Sequence, residues 1–257
     1  IPAIPKSFDI LFITITFLLI GWFLNLTSIY LLFTILIFYA IINIMGSIKI
    51  GWNYFLYSHC KGESNIKEIA LTFDDGPHPS ITPNLLKLLA KYNVKATFFC
   101  VGKNVESYPE IARSIINNNH IIGNHSYFHS YYFDLLSSYQ MKKEITHTND
   151  IIYKNCRIKP KLFRPPYGVT NPMLKKAIKK SGLTSIGWSL RSFDTYKATE
   201  VVKKRLKKNT KPGDIVLLHD TVDDAVVIVE DYLIWLKEAG YKVVSLDRLL
   251  KIKSYED

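Results

Sequence analysis

Short apolar runs alternate with helix-forming stretches from about residue 61 to the end of this 257-residue chain. The runs have the length and composition of β-strands, and they lie near residues 69–73, 96–101, 121–124, 161–163, 183–190, 214–218 and 241–244. Such alternation favours a parallel α/β fold, because parallel strands need a crossover that is usually a helix. The sequence therefore predicts an incomplete (β/α) barrel, a distorted TIM-like fold of about seven strands.

The start of the chain has a different character, because Ile10–Ile48 form a run of 39 residues without a charge. One membrane crossing takes roughly 20 apolar residues, so the run predicts N-terminal transmembrane helices near 8–24 and 28–46. Gly21–Ser28, with Asn25 as its most polar member, holds the turn of such a hairpin. A single span with an interfacial lead-in is the alternative.

We therefore expect three parts along the chain. A membrane anchor covers 1–48, a linker covers 49–65, and a catalytic domain covers 66–257. The basic residues that flank the apolar run, Lys6 and Lys49, nearly cancel, so they leave the orientation in the membrane open.

The net charge of +11 suits a domain that works near an anionic lipid or polymer. The densest basic run, residues 203–211, falls on a predicted surface helix, where a solvated face is favoured over a binding patch. No aromatic residue interleaves with this run, which argues against a nucleic-acid partner. The three cysteines lack C-x-x-C spacing, so the sequence predicts neither a disulfide framework nor a zinc knuckle.

Residues that could take part in catalysis or metal binding are concentrated where the predicted strands end. Asp74 and Asp75 close the first strand, and His125 and His129 follow the third, four residues apart. Adjacent carboxylates repel each other unless a cation lies beside them, and an Asx-turn would explain only one of the two. On a helical turn the two histidines would share a face. Asp75, His125 and His129 are thus predicted to bind a catalytic zinc ion and to leave Asp74 as a base.

Two later segments complete the candidate site. In Arg-Pro-Pro-Tyr, which begins at Arg164, the prolines hold the chain rigid, which would fix the guanidinium against a carboxylate. The backbone N–H of Tyr167 would then point at a reacting oxygen. His219 follows another buried strand and could protonate a leaving group if a carboxylate kept it charged. Asp194 is the candidate for that carboxylate, and Asp220 is its rival.

These segments, in this order, resemble the polysaccharide deacetylases of carbohydrate esterase family four, which share the NodB-homology domain. The resemblance runs from about Ile69 to Val244, and the combination of Thr-Phe-Asp-Asp-Gly-Pro, His-Ser-x-x-His and Arg-Pro-Pro-Tyr is specific. It implies metal-dependent removal of acetyl groups from an N-acetylated sugar polymer such as peptidoglycan, a chitin-like chain or poly-N-acetylglucosamine. It also implies one divalent metal ion, usually zinc, as the cofactor.

The resemblance implies a role for each matching residue as well. The metal ligands are Asp75, His125 and His129, and the general base is Asp74. The other catalytic residues are the acid His219, the base-orienting Arg164, the acid-tuning Asp194 and the backbone oxyanion donor Tyr167. The substrate-binding residues are Tyr167, Pro166 and Leu217, of which Leu217 forms the wall of the acetyl pocket.

Two positions depart from the family pattern. Phe193-Asp194-Thr195 stands where the family commonly has an Asp-Trp pair, and Arg191 stands where an acidic residue is frequent. Threonine in place of tryptophan removes apolar surface beside the acetyl pocket. The departure therefore concerns pocket shape and substrate preference rather than the core chemistry.

Two other functions fit parts of the pattern. A membrane-anchored pseudoenzyme that binds sugar would have lost a ligand, the base or the acid, and the sequence retains all of them. A zinc hydrolase of O-acetyl esters or peptides is the other, although His-x-x-x-His here lacks the glutamate of the peptidase motif His-Glu-x-x-His. The polymer substrate and the predicted anchor place the catalytic domain on the envelope side of a bacterial inner membrane. The oligomeric state is open.

Overall fold

The computed structural model of the chain describes residues 7–23, 29–63 and 65–256. The chain divides into two compact units, Ile1–Gly46 and Ser47–Asp257. All strands of the described part, and all residues of the candidate site, belong to the second unit. The chemistry predicted from the sequence therefore has to be assembled by this unit.

The chain begins with two helices, α1 over Ser7–Phe23 and α2 over Ile29–Ile48. Over the described ranges, no helix combines the length and the apolarity that crossing a membrane requires. The transmembrane helices predicted near 8–24 and 28–46 are therefore not found. The α1 helix has 17 residues, or about 25 Å at a rise of about 1.5 Å per residue, against about 30 Å of hydrocarbon in a bilayer. The predicted turn at Asn25 lies outside the described residues.

One parallel sheet forms the centre of the second unit. Its described strands are β1 Glu68–Asp74, β2 Thr97–Cys100, β3 Ile121–Asn124, β4 Leu162–Phe163, β5 Thr184–Ser185, β6 Leu190–Arg191, β7 Ile215–His219 and β8 Lys242–Val243. Seven of them lie in the order β5-β4-β3-β2-β1-β7-β6, and β8 pairs with the start of β1. The predicted α/β fold of parallel strands is confirmed.

Helices connect and cover the strands. They are α3 Ile81–Lys91, α4 Gly102–Ser107, α5 Pro109–Asn117, α6 Ser138–Cys156, α7 Pro172–Ser181, α8 Thr199–Asn209, α9 Ala225–Glu238 and α10 Leu246–Leu250. Local sequence explains several of the ends. Ser137 and Gln140 form a capping box at the start of α6, because each side chain accepts from the other's backbone N–H. Asn171 caps α7, and Gly182 ends it in the left-handed conformation.

One prediction about an individual element was wrong. The strand expected over 183–190 is interrupted, since only the two-residue strands β5 and β6 remain of it. Thr82 lies inside the first turn of α3, and its hydroxyl donates to Asp220 at 2.5 Å.

The central strand β1 is buried on both faces, as parallel strands between helix layers are. Leu71 and Phe73 belong to the larger apolar cluster, which contains residues of α3, α5, α8 and α9. Ala70 points to a second cluster together with Phe99 and Ile215 of the neighbouring strands. Burial on both sides fixes the register of β1 and hence the position of its last residue, Asp74.

The segment 49–65, which we expected to be a linker, belongs to the second unit and packs against the rest of it in its described part. Ile50 and Leu56 are buried. The backbone N–H of Gly62 donates to the carbonyl oxygen of Gly213 at 2.8 Å. These contacts make the segment a covering strip of the unit that carries the site.

Candidate active site

Four strand ends place the key side chains at one edge of the sheet. Asp74 ends β1, and in register it lies opposite Phe99 of β2 and His219 of β7. His125 directly follows β3, and Arg164 directly follows β4. Because the carboxyl ends of parallel strands meet at one edge, these side chains converge, as in other α/β enzymes.

The loops that carry the predicted metal ligands contain left-handed backbone. The φ angle is 76° at Asp75, 61° at Ser126 and 51° at His129. Such angles are uncommon outside glycine, so neighbouring groups have to hold them. The Asn124 side chain does this by accepting from the Ser126 N–H at 2.9 Å. We expected His125 and His129 on a helical turn; this was wrong, because the segment is a loop whose bends bring the two rings together.

Asp75, His125 and His129 form a compact group of ligand atoms. The Nε2 atoms of the two histidines lie 3.5 and 3.4 Å from Asp75 Oδ1. The three ligand atoms all lie within 4.8 Å of one another. His125 Nδ1 donates to the carbonyl oxygen of Arg164 at 2.8 Å, which leaves Nε2 for a metal. One carboxylate and two imidazole nitrogens fit a divalent ion such as zinc that keeps open positions.

Electrostatics within this group favour the metal-binding protonation states of Asp75 and His129. Burial would raise the pKa of Asp75, but the His125 hydrogen bond and the nearby imidazoles hold it well below its usual range. Burial, together with the charge of His125, lowers the pKa of His129 to about 4. Burial also acts to lower the pKa of His125, but the carboxylates of Asp74 and Asp75 outweigh it and raise that pKa. An ionised Asp75 and a neutral His129 are the forms that bind a metal.

Arg164 holds Asp74 in place. Its Nη1 donates to Asp74 Oδ1 and to the hydroxyl of Thr72, both at 2.7 Å. Its Nη2 donates to the carbonyl oxygen of Gly187 at 2.8 Å. Burial lowers the pKa of Arg164, and the charge of Asp74 opposes that shift. The predicted pairing of this arginine with a carboxylate is present, and Asp74 Oδ2 stays on the metal-ligand side, 3.7 Å from His125 Nε2.

On the other side of the site, His219 is bound to Asp194. His219 Nδ1 donates to Asp194 Oδ1 at 2.7 Å, and the His219 backbone N–H donates to Oδ2 at 2.9 Å. The Ser192 hydroxyl donates to Asp194 Oδ1 at 2.8 Å. Burial alone would lower the pKa of His219, but the bond to Asp194 raises it. The rival carboxylate, Asp220, bonds Thr82 instead, and burial raises its pKa to about 7.

Asp74, Asp75, His125, His129 and His219 face one cleft of about 300 Å³. Tyr167 and Leu217 also line it, whereas Pro166 is buried and lies outside the described lining. The Tyr167 ring stacks on Tyr131 with 5.2 Å between centroids, and its hydroxyl donates to the carbonyl oxygen of His129 at 3.2 Å. Burial raises the pKa of Tyr167 to about 12, so the phenol stays neutral.

The sequence did not identify three further residues of the cleft, Tyr131, Gly168 and Trp188. Trp188 lies in the interruption between β5 and β6. A Cβ at residue 168 would lie 2.2 Å from the Trp188 ring, so glycine there makes room for the indole. The Gly-Trp pair at 187–188 was the available signal, because glycine inside a strand pattern often marks a bend. Tyr131 lies in a loop whose sequence has no periodicity, so no sequence signal indicated its place in the cleft.

This chain is similar in sequence to known deacetylases. Residues 61–186 match the family model described as polysaccharide deacetylase. A peptidoglycan-N-acetylglucosamine deacetylase of Bacillus cereus is 36% identical over 196 residues, which are 74% of this chain and 91% of that protein. The peptidoglycan-N-acetylmuramic acid deacetylase PdaA of Bacillus subtilis is 33% identical over 196 residues, which are 74% of this chain and 73% of the relative.

Solved structures show the same relationship. A peptidoglycan N-acetylglucosamine deacetylase crystallised with 4-naphthalen-1-yl-N-oxidanyl-benzamide matches with a TM-score of 0.72 and 30% identity, over 77% of this chain and 95% of that one. A pseudoenzyme of carbohydrate esterase family four from Bacillus anthracis matches with a TM-score of 0.69 and 30% identity, over 74% of this chain and 67% of that one. With this identity and coverage, the chain belongs to the polysaccharide deacetylases of carbohydrate esterase family four.

Proposed function

We propose that this protein hydrolyses N-acetyl groups on the sugars of peptidoglycan, with chitin-like chains and poly-N-acetylglucosamine as weaker candidates. Membership of the family makes it a hydrolase of the polysaccharide deacetylase type. Relatives named for N-acetylglucosamine and for N-acetylmuramic acid of peptidoglycan both support the choice of polymer. They leave open which of the two sugars is the substrate here.

One observation carries the proposal: a metal-ligand group, a held base and a held acid share one cleft. Asp75, His125 and His129 supply the ligand group. Asp74 is fixed by Arg164, and His219 is fixed by a carboxylate on the opposite side. Metal-assisted hydrolysis of an amide uses each of these three elements, because the water must be activated and the departing nitrogen must be protonated.

Asp75, His125 and His129 would hold a divalent metal ion, and zinc suits their nitrogen and oxygen donors. When bound, such an ion supplies Lewis acidity that makes water nucleophilic near neutral pH and polarises a carbonyl group. A neutral imidazole at His129 is already available for this, because burial lowers its pKa. The hydrogen bond from His125 Nδ1 to a backbone carbonyl fixes the direction of the second imidazole.

The chain's own groups then account for the proton transfers. Asp74 accepts the proton of the attacking water, and the hydrogen bond from the Arg164 guanidinium holds this carboxylate in position. His219 donates its proton to the amide nitrogen as the C–N bond breaks. Asp194 keeps His219 protonated for that step and leaves its Nε2 facing the cleft. The Tyr167 N–H donates to the developing oxyanion in this scheme.

An extracytoplasmic location at a bacterial inner membrane is part of what we propose. It is supported by the polymer named for the relatives and by the charge-free run of 39 residues from Ile10 to Ile48. No helix over the described residues could cross a membrane. Membrane attachment is therefore tested separately, by fractionating cells and washing the membranes with alkaline carbonate. Recovery of the protein in the cytosolic fraction would contradict the location.

Acetate release tests the function itself. The full protein is incubated with N-acetylglucosamine oligomers and with peptidoglycan strands, untreated, after chelation, and after chelation followed by added zinc. We expect release that the chelator abolishes and zinc restores. No release from any glycan, despite one bound metal ion per chain, would contradict a deacetylase. Release from O-acetyl esters alone would show an esterase instead.

A further inference from the structure

Arg191 is a cation of the active-site cleft that the mechanism above does not use. It ends strand β6, opposite Leu217 of β7 in register, and it lines the same cleft as Asp75 and His219. It is the one lysine or arginine in the described lining, since Arg164 lies beneath the cleft rather than in its wall. A charged group in this position can contact a substrate bound in the cleft.

The guanidinium of Arg191 has no anionic partner in the described part of the chain. The arginines that form ion pairs there are Arg113, Arg164 and Arg248. The Nε atom of Arg191 is buried and has no hydrogen-bond partner. Burial of a charged donor without an acceptor is costly, so a structural role explains this side chain poorly.

Aromatic rings hold the guanidinium instead. The Cζ atom of Arg191 lies 5.2 Å from the ring centroid of Phe193 and 6.0 Å from that of Trp188. Arg205, on α8, also lies over the Phe193 ring, at 4.4 Å, and its Nε donates to the Arg191 carbonyl oxygen at 2.8 Å. Contacts with aromatic rings do not use the N–H donors of a guanidinium, so the terminal Nη groups of Arg191, unlike its buried Nε, can bind a ligand.

The cleft's own carboxylates are already engaged. Asp74 is bound by Arg164, Asp75 lies among the imidazoles, and Asp194 accepts from His219 and Ser192. Arg191 is therefore left free to bind an acceptor on the substrate. The planar fork of arginine matches a carboxylate, with which it forms paired, charge-assisted hydrogen bonds.

We infer that Arg191 binds a carboxylate of the sugar polymer and makes this deacetylase selective for anionic glycan. The inference rests on the proposed function and adds to it the class of chain that the site prefers. In peptidoglycan such a carboxylate has two sources. One is the lactyl ether that alternate sugars carry beside the acetamide, and the other is the peptide attached to that ether. A neutral chitin-like chain has neither.

The test measures kcat and KM for acetate release from three substrates: a neutral N-acetylglucosamine oligomer, peptide-free peptidoglycan strands with free lactyl carboxylates, and strands that keep their peptides. We expect the wild-type protein to prefer an anionic substrate. Arg191→Gln should raise KM for that substrate about 10- to 100-fold, the range of a charge-assisted pair, and change KM for the neutral oligomer much less. Preference for the peptide-free strands assigns the lactyl group, and preference for the peptide-bearing strands assigns the peptide.

Two further variants make the result specific. Arg191→Lys keeps the positive charge but lacks the paired planar donors of arginine, so we expect a smaller rise in KM for the anionic substrate than in Arg191→Gln. The lysine variant also replaces the glutamine variant in the test if the latter does not fold. Lys208→Gln removes an exposed charge on α8 outside the described cleft lining and should change neither substrate. Equal losses on neutral and anionic glycans, or no loss in either Arg191 variant, would overturn the inference while leaving the deacetylase function intact. Absence of acetate from every glycan with wild-type protein would instead overturn the function.

Discussion

The two sides of the cleft use the same residue type in opposite states. His129, on the metal-ligand side, is partly buried beside another imidazole, and its pKa is lowered to about 4. His219, on the other side, is also buried, but its hydrogen bond to Asp194 raises its pKa. Burial acts in the same direction on both histidines, so the nearest partner decides which one keeps a proton.

This difference matches two separate chemical tasks. A metal ligand must offer a neutral nitrogen, whereas a general acid must hold a proton near the operating pH. The hydrogen bonds of the two sides differ as well, because the Nδ1 of His125 donates to the carbonyl oxygen of Arg164, whereas the Nδ1 of His219 donates to a carboxylate. A division of labour between the two sides follows, and variants on each side should separate metal binding from proton donation.

The largest effect is expected from His125→Ala. The variant removes one of three ligands, so bound metal should fall from about one ion per chain to near zero, and acetate release should fall to the level of chelated protein. Elemental analysis of dialysed protein measures the first quantity. His147→Ala is the matched control, since His147 lies outside the described cleft lining. Full metal occupancy in His125→Ala would break the assignment of this side.

His219→Ala should lower kcat by about 10²- to 10⁴-fold, the usual contribution of a positioned acid or base. Metal content should stay at the wild-type value, because His219 is not part of the ligand group. Measuring both quantities on the same preparation sharpens the contrast with His125→Ala. Loss of the metal from His219→Ala would show that the two sides are not independent.

The sequence predicted the residues of both sides because each motif directly follows a buried strand. Asp74, His125, Arg164 and His219 are placed by the register of parallel strands, which apolar runs specify well. The residues alone left Asp194 as the candidate and Asp220 as its rival, and the family resemblance favoured Asp194. The structure shows that Asp194, rather than Asp220, bonds His219. A choice between two carboxylates depends on side-chain direction, which spacing along the chain does not give.

Other features depend on contacts between distant segments. Trp188 reaches the cleft because the strand expected over 183–190 is interrupted, and Gly168 clears space for its ring. The conformation of the loop that carries His125 depends on residues with left-handed backbone, which the periodicity of helices and strands does not predict. For the N-terminal helices, the sequence predicted a feature that the structure does not contain. Composition favoured transmembrane helices, and the described helices include none that could cross a membrane.

Asp194→Asn should shift the pH dependence rather than abolish activity. The charge of Asp194 raises the pKa of His219, so its removal lowers that pKa. The protonated form is then lost at a lower pH, and the alkaline limb of the kcat profile should move to lower pH. Loss of the charged partner should also reduce kcat at the optimum by about 10- to 100-fold, the usual size of such an outer-shell effect. An unmoved alkaline limb would mean that His219 is not the group that titrates there.

The smallest effect is expected at Leu217, which lies on β7 two residues before His219 and forms part of the cleft wall. Leu217→Ala enlarges the space for the acyl group without touching either histidine. The ratio of kcat/KM for N-propionyl over N-acetyl glycan should rise about 10-fold, since one methylene in an apolar pocket counts for about that much. Metal content and the pH profile should not change.

Val216→Ala provides the control for that prediction, because it removes a buried apolar side chain from the residue directly before Leu217 in β7. Side chains alternate along a strand, so Val216 faces the larger apolar cluster instead of the cleft. Both variants should lower the free energy of unfolding through a cavity, which urea titration measures. Only Leu217→Ala should alter the acyl preference. An equal change in Val216→Ala would show that a loosened sheet, rather than the wall of the acetyl pocket, sets which acyl group is removed.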